Sequence, residues 1–179
     1  MIVLASASPR RRELLMGAGW QVEVRVANVD EMQRAHEAPR EYVLRLARTK
    51  AHAVAPAPHP IVGADTAVVI DGAVLGKPGD DEDARRMIER LAGREHEVLT
   101  GYCVILPDGR EREGVEATRV WFSPLSSAEI AAYVASGEPR DKAGAYAIQG
   151  QAARFIPRID GSYSNVVGLP LAALHDALR

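Results

Sequence analysis

The sequence predicts a single α/β domain, residues 1–179, built on a mixed β-sheet. Three observations carry this prediction. Apolar runs of strand length are interleaved with amphipathic segments of helix length along the whole chain. Consecutive strand segments are joined by tight turns at Asp71-Gly72 and Pro107-Asp108-Gly109, so antiparallel pairs must accompany parallel ones. No repeat, low-complexity tract or linker divides the chain, and 179 residues suffice to bury one core.

The elements follow in order. Met1–Ala5 reads as a short buried strand. Ser8 is placed to cap a helix whose first residue is Pro9, running to about Met16 and ended by Gly17 and Gly19. Gln21–Val26 alternates as a strand does, and a polar loop with Asp30 and Glu31 leads to a helix over about Pro39–Ala55. The prolines at 56, 58 and 60 stop that helix. Ile61–Ile70 reads as a central strand that turns at Asp71-Gly72 into the return strand Ala73–Leu75. Asp80–Leu91 is an amphipathic helix with acidic residues in its first turn. Strands over about Glu95–Leu106 and Arg112–Phe122 follow, then a helix capped by Ser126 or Ser127 that ends near Ala135. A loop interrupted by Gly and Pro carries Lys142 and Gln149. A short strand near Phe155–Ile159, a turn at Asp160-Gly161 and a helix from about Pro170 complete the chain.

Composition excludes several classes of function. With 22 basic and 24 acidic side chains the net charge is -2, so no global field draws the chain to nucleic acid or an anionic membrane. Aromatic residues are 5% of the sequence, too few for base-stacking platforms. The lone Cys103, in the apolar run Tyr102–Leu106, is expected as a buried structural thiol in a reducing compartment. No segment has the length of a membrane span and no leader pattern precedes Arg10, so a cytoplasmic location is expected. The five histidines lack zinc spacing, and the sequence holds no Walker-type lysine loop, dinucleotide fingerprint or nucleophile elbow.

Several residues fit a purely structural role poorly. In Ser6-Ala7-Ser8-Pro9-Arg10-Arg11-Arg12, cations sit at a helix N-terminus, against the macrodipole. Either they are solvated and paired with carboxylates such as Glu13, or they meet phosphate together with the serine hydroxyls and free backbone N–H groups. Asp65 interrupts an apolar strand, where a carboxylate must be paired, hydrogen-bonded or metal-bound. It reads as a salt-bridge anchor or as a catalytic base or metal ligand, with Gly63 allowing a close approach to the backbone. Lys77 in Gly76-Lys77-Pro78 is either an exposed turn residue or a phosphate ligand, and Lys50 can lay its stem along apolar surface with its charge in water. Asp30-Glu31 is either a solvated turn or a site for a hard cation. Gln149, in the segment from Lys142 to Gly150, either belongs to an ordinary loop or reads a base edge through its amide.

Taken as an ordered set, these segments resemble the Maf family of nucleoside triphosphate pyrophosphatases. The matching stretches are 6–11, Asp30-Glu31, Gly63–Thr66, Gly76–Pro78, Gly93–Thr100, Lys142–Gly150, Gly161–Tyr163 and Val167–Pro170, spanning nearly the whole chain. The resemblance implies a twisted mixed sheet with a cleft between two lobes, related to the inosine-triphosphate pyrophosphatases. It implies a divalent cation (Mg²⁺, with Mn²⁺ or Co²⁺ as alternatives) and a homodimer. Asp65 matches the family's proton acceptor, and Arg10, Thr66 and Gln149 match positions that mark a branch hydrolysing dTTP and UTP.

The expected chemistry is attack of water on the α-phosphorus, giving the nucleoside monophosphate and pyrophosphate. Asp65 is expected to activate the water, directly or through metal, with Glu31 helping to hold the cation. Ser6, Ser8, Arg10, Arg11, Lys50, Thr66, Lys77 and Gln149 are expected to bind the nucleotide. Two other readings stay open: a pyrophosphatase for 7-methyl-GTP, and a non-enzymatic nucleotide-binding regulator of septum formation.

Overall fold

The computed structural model describes all residues from 1 to 179. In chain order the strands are β1 (Ile2–Leu4), β2 (Val22–Val24), β3 (Ile61–Ile70), β4 (Ala73–Leu75), β5 (Glu95–Ile105), β6 (Glu111–Trp121) and β7 (Arg158–Asp160). The helices are α1 (Pro9–Gly17), α2 (Pro39–Ala53), α3 (Asp81–Leu91), α4 (Ser127–Ala135), α5 (Tyr163–Val167) and α6 (Leu171–Ala177). Strand order in the seven-stranded sheet is β2-β1-β3-β5-β6-β7, with β4 paired to β3. β1 runs parallel to both β2 and β3, whereas β3–β4 and β6–β7 are antiparallel, so the sheet is mixed as predicted. No helix is long and apolar enough to cross a membrane.

Local chemistry explains the boundaries. Ser8 caps α1 with Pro9 in its first turn, Asp80 caps α3 through a 2.7 Å bond from the Asp83 amide, and Ser126 forms a capping box with Glu129. Asp71 and Gly72 take φ of 54° and 73°, the paired positive values of a type I′ hairpin turn. Ala73 is thereby placed opposite Ile70.

The chain resolves into two compact units. The first comprises Met1–Thr66, Leu99–Glu116 and Ser164–Arg179, and the second Ala67–Val98 and Ala117–Tyr163. In the first, alternation along β3 divides the core by face. Val62 and Ala64 pack with Leu15 of α1 and Leu174 and Ala177 of α6, while Ile61 packs with Ala47 and Ala51 of α2 and with Cys103. Cys103 is fully buried, and that burial raises its thiol to about 12, which makes it the inert core residue expected. In the second, Phe122, Phe155, Tyr133, Tyr146 and His96 form a chain of edge-to-face and tilted ring contacts.

The last third departs most from the sequence reading. Gln151–Phe155 is a 3-10 turn, so the strand expected from Phe155 starts at Arg158 and includes Asp160. Ala143–Ala145 forms a second 3-10 turn, and the short helix α5 was not anticipated. Five residues are too few to show a helical period in sequence.

Candidate active site

Within the first unit the site begins with two glycines. A Cβ on Gly63 would lie 2.2 Å from the Ala47 carbonyl oxygen, and one on Gly101 would lie 2.3 Å from that of Val43. Helix α2 therefore rests its own backbone on β3 and β5, with no side chain between them. The sequence reading gave Gly63 to an approaching ligand; what approaches is the helix. One turn beyond Ala47, Lys50 is carried to the side of β3 that bears Gly63 and, two residues on, Asp65.

There the Lys50 ammonium is buried. Its Nζ lies 2.6 Å from Asp65 Oδ1 and 2.8 Å from Glu31 Oε1, so one cation bridges two carboxylates. The charge expected in water is paired instead. Glu31 comes from a loop without regular structure that α2 holds in place. Tyr42 donates its hydroxyl to the Glu31 carbonyl at 3.0 Å, and Arg45 binds the Glu37 carboxylate with two bonds, 2.5 and 2.8 Å, and the Met32 carbonyl at 3.0 Å. The hydrogen bonds from Arg45 hold Glu37 down at about 2. Burial, with the Asp65 and Glu31 charges behind it, pushes Tyr42 up to about 12, so its hydroxyl remains a donor.

On the opposite face of β3 the side chain of Thr66 meets α1. Arg11 is buried and anchored by three bonds: Nε to the Gly168 carbonyl at 2.8 Å, Nη1 to Ser6 Oγ at 3.1 Å and Nη2 to Thr66 Oγ1 at 3.0 Å. Thr66 Oγ1 also lies 2.9 Å from Thr100 Oγ1, which donates to the Asn165 carbonyl at 3.2 Å. Gly168 has φ 131°, a conformation that L side chains rarely adopt, and it brings the carbonyl to Arg11. Burial lowers Arg11 below its usual range; the Asp65 charge opposes this, Arg10 adds to it, and Glu31 opposes it again. Ser6 Oγ accepts from the Ser8 amide at 3.2 Å, and Ser8 Oγ accepts from the Arg11 amide at 3.5 Å. Arg10 is half-buried and Arg12 exposed, with no acidic residue in the first turn of α1. The cationic helix start is thus a built feature with one arginine locked in the core, which a solvated arginine run would not require.

The structure brings together Ser6, Ser8, Arg11 and Thr66 on one side of β3, and Glu31, Lys50 and Asp65 on the other. Lys77 and Gln149 belong to the second unit, and both are exposed. Their two loops are tied by a 3.0 Å bond from the Gly144 amide to the Gly76 carbonyl. Gln149 lies in a turn closed by the Gly150 amide on the Ala147 carbonyl at 3.1 Å. Sequence reasoning did not single out Thr100, Gly168 and Tyr42 as anchors of the site. Thr100 and Gly168 lie inside the stretches 93–100 and 167–170 that carry the family resemblance, which gave them no role, and Tyr42 lies outside all of them.

A match to the Maf-like protein family covers residues 1–179, and the chain belongs to that family. A dTTP/UTP pyrophosphatase of Anaeromyxobacter sp. (strain Fw109-5) is 57% identical over 99% of this chain and 88% of its own length. A dTTP/UTP pyrophosphatase of Geotalea uraniireducens is 53% identical over 99% of this chain and 93% of its own. Among solved structures, a HAM1 protein from Coxiella burnetii superposes with a TM-score of 0.46 at 14% identity, covering 69% of this chain and 73% of that one, too loosely to bear on function.

Proposed function

We propose that this chain is a nucleoside triphosphate pyrophosphatase that hydrolyses dTTP and UTP to the nucleoside monophosphate and pyrophosphate. The observation that carries the reading is the buried Asp65–Lys50 pair with the exposed Glu31 at its edge, backed across β3 by the anchored Arg11. An ion pair buried in the middle of the apolar strand β3 costs desolvation energy that a hydrophobic pair would not. The names borne by relatives at 53–57% identity support the substrate.

In this reading Asp65 takes a proton from the water that attacks the α-phosphorus. The new P–O bond forms as the bond to the pyrophosphate oxygen breaks, and pyrophosphate departs. Lys50 occupies Asp65 Oδ1 and fixes the orientation of the carboxylate, leaving Oδ2 as the proton acceptor. The start of α1 contributes Ser6, Ser8 and Arg10, with amides and cations facing phosphate charge, while Arg11 uses three donors internally and presents the rest. Thr66 holds that guanidinium. The roles of Lys77 toward phosphate and Gln149 toward the base come from the family resemblance.

Glu31 and Asp65 offer hard oxygen donors, and no group of three or more His, Cys, Asp or Glu side chains converges anywhere in the chain. That donor set fits Mg²⁺, which relies on one or two carboxylates together with water and substrate phosphates; Mn²⁺ and Co²⁺ take similar ligands. Bound there, the cation would neutralise phosphate charge and polarise the phosphoryl oxygens. The resemblance also supports a homodimer, and the lone cysteine and balanced charge support a cytoplasmic enzyme without nucleic-acid partners.

The test is pyrophosphate release from a panel of triphosphates with Mg²⁺, including 7-methyl-GTP. Release from dTTP and UTP that drops about 10²–10⁴-fold in a folded Asp65→Asn variant is the expected result. Near-normal turnover in that variant removes Asp65 from the mechanism. Preference for 7-methyl-GTP reassigns the substrate, and binding without release from any nucleotide indicates the regulator.

A further inference from the structure

The loop from Lys142 to Gly150 carries Gln149, yet its shape depends on a residue outside it. Glu138, just past the end of α4, turns its carboxylate toward the chain that follows Gln149. Its Oε2 accepts from the Gln151 amide at 2.8 Å, and its Oε1 accepts from the Ala152 amide at 3.2 Å and from the Tyr133 hydroxyl at 3.0 Å. Tyr133 is fully buried, and burial raises its phenol above the ordinary range, so the hydroxyl stays a donor that needs an acceptor. Against Gly150 the carboxylate packs so closely that a Cβ there would lie 2.4 Å from Oε2. The main chain of Glu138 holds the other end of the loop, accepting from Lys142 Nζ at 2.7 Å.

Between these anchors Gly144 and Ala145 take positive φ, 67° and 60°, and of the two only the alanine is held away from relaxed geometry. Ala145 is fully buried, and a Cβ on Gly144 would meet Val68 at 2.8 Å. A left-handed alanine costs of order 1–2 kcal/mol and persists only where surrounding contacts over-determine it. Glu138 supplies such contacts at both ends, while Gln149 itself projects to solvent on a turn. A fixed backbone holds an exposed amide within reach of one base edge, whereas a mobile one spreads its position and loses that discrimination.

We propose that Glu138 is a positioning residue for base discrimination: its carboxylate fixes the backbone from Gly150 to Ala152 and thereby sets the Gln149 amide, without touching substrate. This rests on the reading of Gln149 as the group that meets the pyrimidine. A Glu138→Gln variant keeps the length and one acceptor oxygen, but its NH₂ opposes a backbone N–H.

The experiment measures kcat and KM for UTP, CTP and GTP in the wild type, Glu138→Gln, Gln149→Ala and the double variant. Expected for each single variant is a loss of about ten-fold in the ratio of kcat/KM for UTP to that for the other triphosphates, mostly through KM. The double variant is expected to lose no more than either single one. Additive losses overturn the proposal, since Glu138 would then act apart from Gln149. Unchanged discrimination in Glu138→Gln beside a loss in Gln149→Ala overturns it too, and leaves the reading of Gln149 standing. Unchanged discrimination in Gln149→Ala withdraws that reading and the proposal with it. If Glu138→Gln does not fold, Gly150→Ala decides by the same criteria, since its methyl displaces the same carboxylate while Glu138 remains.

Discussion

Replacing Lys50 by Met removes a buried ammonium and leaves two carboxylates facing each other. The Lys50 side chain is 8% exposed, that of Asp65 12% and that of Glu31 53%. Glu31 can therefore turn to water, whereas Asp65 stays in the strand as an uncompensated charge. Breaking a buried pair from one side costs about 3–5 kcal/mol; the partial exposure of Glu31 places this case near 3 kcal/mol. Asp65→Asn, which leaves Lys50 paired with Glu31, should cost about 1–2 kcal/mol, roughly a lost charged hydrogen bond. The double variant should cost about the same as Asp65→Asn alone, so the coupling is about 3 kcal/mol, the cost of the Lys50 change itself. Urea unfolding at unchanged m-value measures all four proteins, and about 3 kcal/mol corresponds to a fall of roughly 6–12 °C in Tm for a chain of this size. Coupling below about 0.5 kcal/mol would refute the dry ion pair as the feature that organises Asp65.

Gly63→Ala should destabilise the fold by about 3 kcal/mol and lower turnover with it, because the new methyl meets the α2 backbone and moves Lys50. Gly79→Ala, in open space, is the control and should stay within about 0.5 kcal/mol in the same unfolding assay. Burial depresses His96 from 6.5 to about 4. The unfolded chain therefore takes up a proton that the folded one refuses between those values, and stability falls as pH drops through that window. The contribution approaches about 3 kcal/mol, and His96→Gln should flatten the stability–pH profile from about 6.5 down to 4; parallel profiles would show that His96 is not the group responsible.

Local rules made much of this protein legible. Ser8-Pro9, Asp71-Gly72 and the serine pair at 126 and 127 punctuate the chain by chemistry confined to a few residues, and those boundaries agree with the structure, in which Ser126 is the cap. Asp65 stood out because a carboxylate in an apolar strand demands a partner. The identity of that partner was not legible. Lys50 reaches it only because two glycines on neighbouring strands let α2 settle onto the sheet, a distance that no periodicity encodes. Arg11 was visible as an oddly placed cation, but its anchor at Gly168 lies 157 residues away. The stretch from Gln151 to Val167 was the least readable, being made of 3-10 turns and elements of five residues or fewer that tertiary contacts fix.

That separation also sets an order of events during synthesis. A nascent chain exposes Arg11 almost at once, yet the carbonyl that receives its Nε arrives only with residue 168. Until then the guanidinium has at most Ser6 and, later, Thr66 to hold it. The anion-facing start of α1 is therefore among the last parts to mature, although it is among the first made. Any message truncated before the codon for Gly168 yields a product that lacks this latch, however well its N-terminal strands assemble.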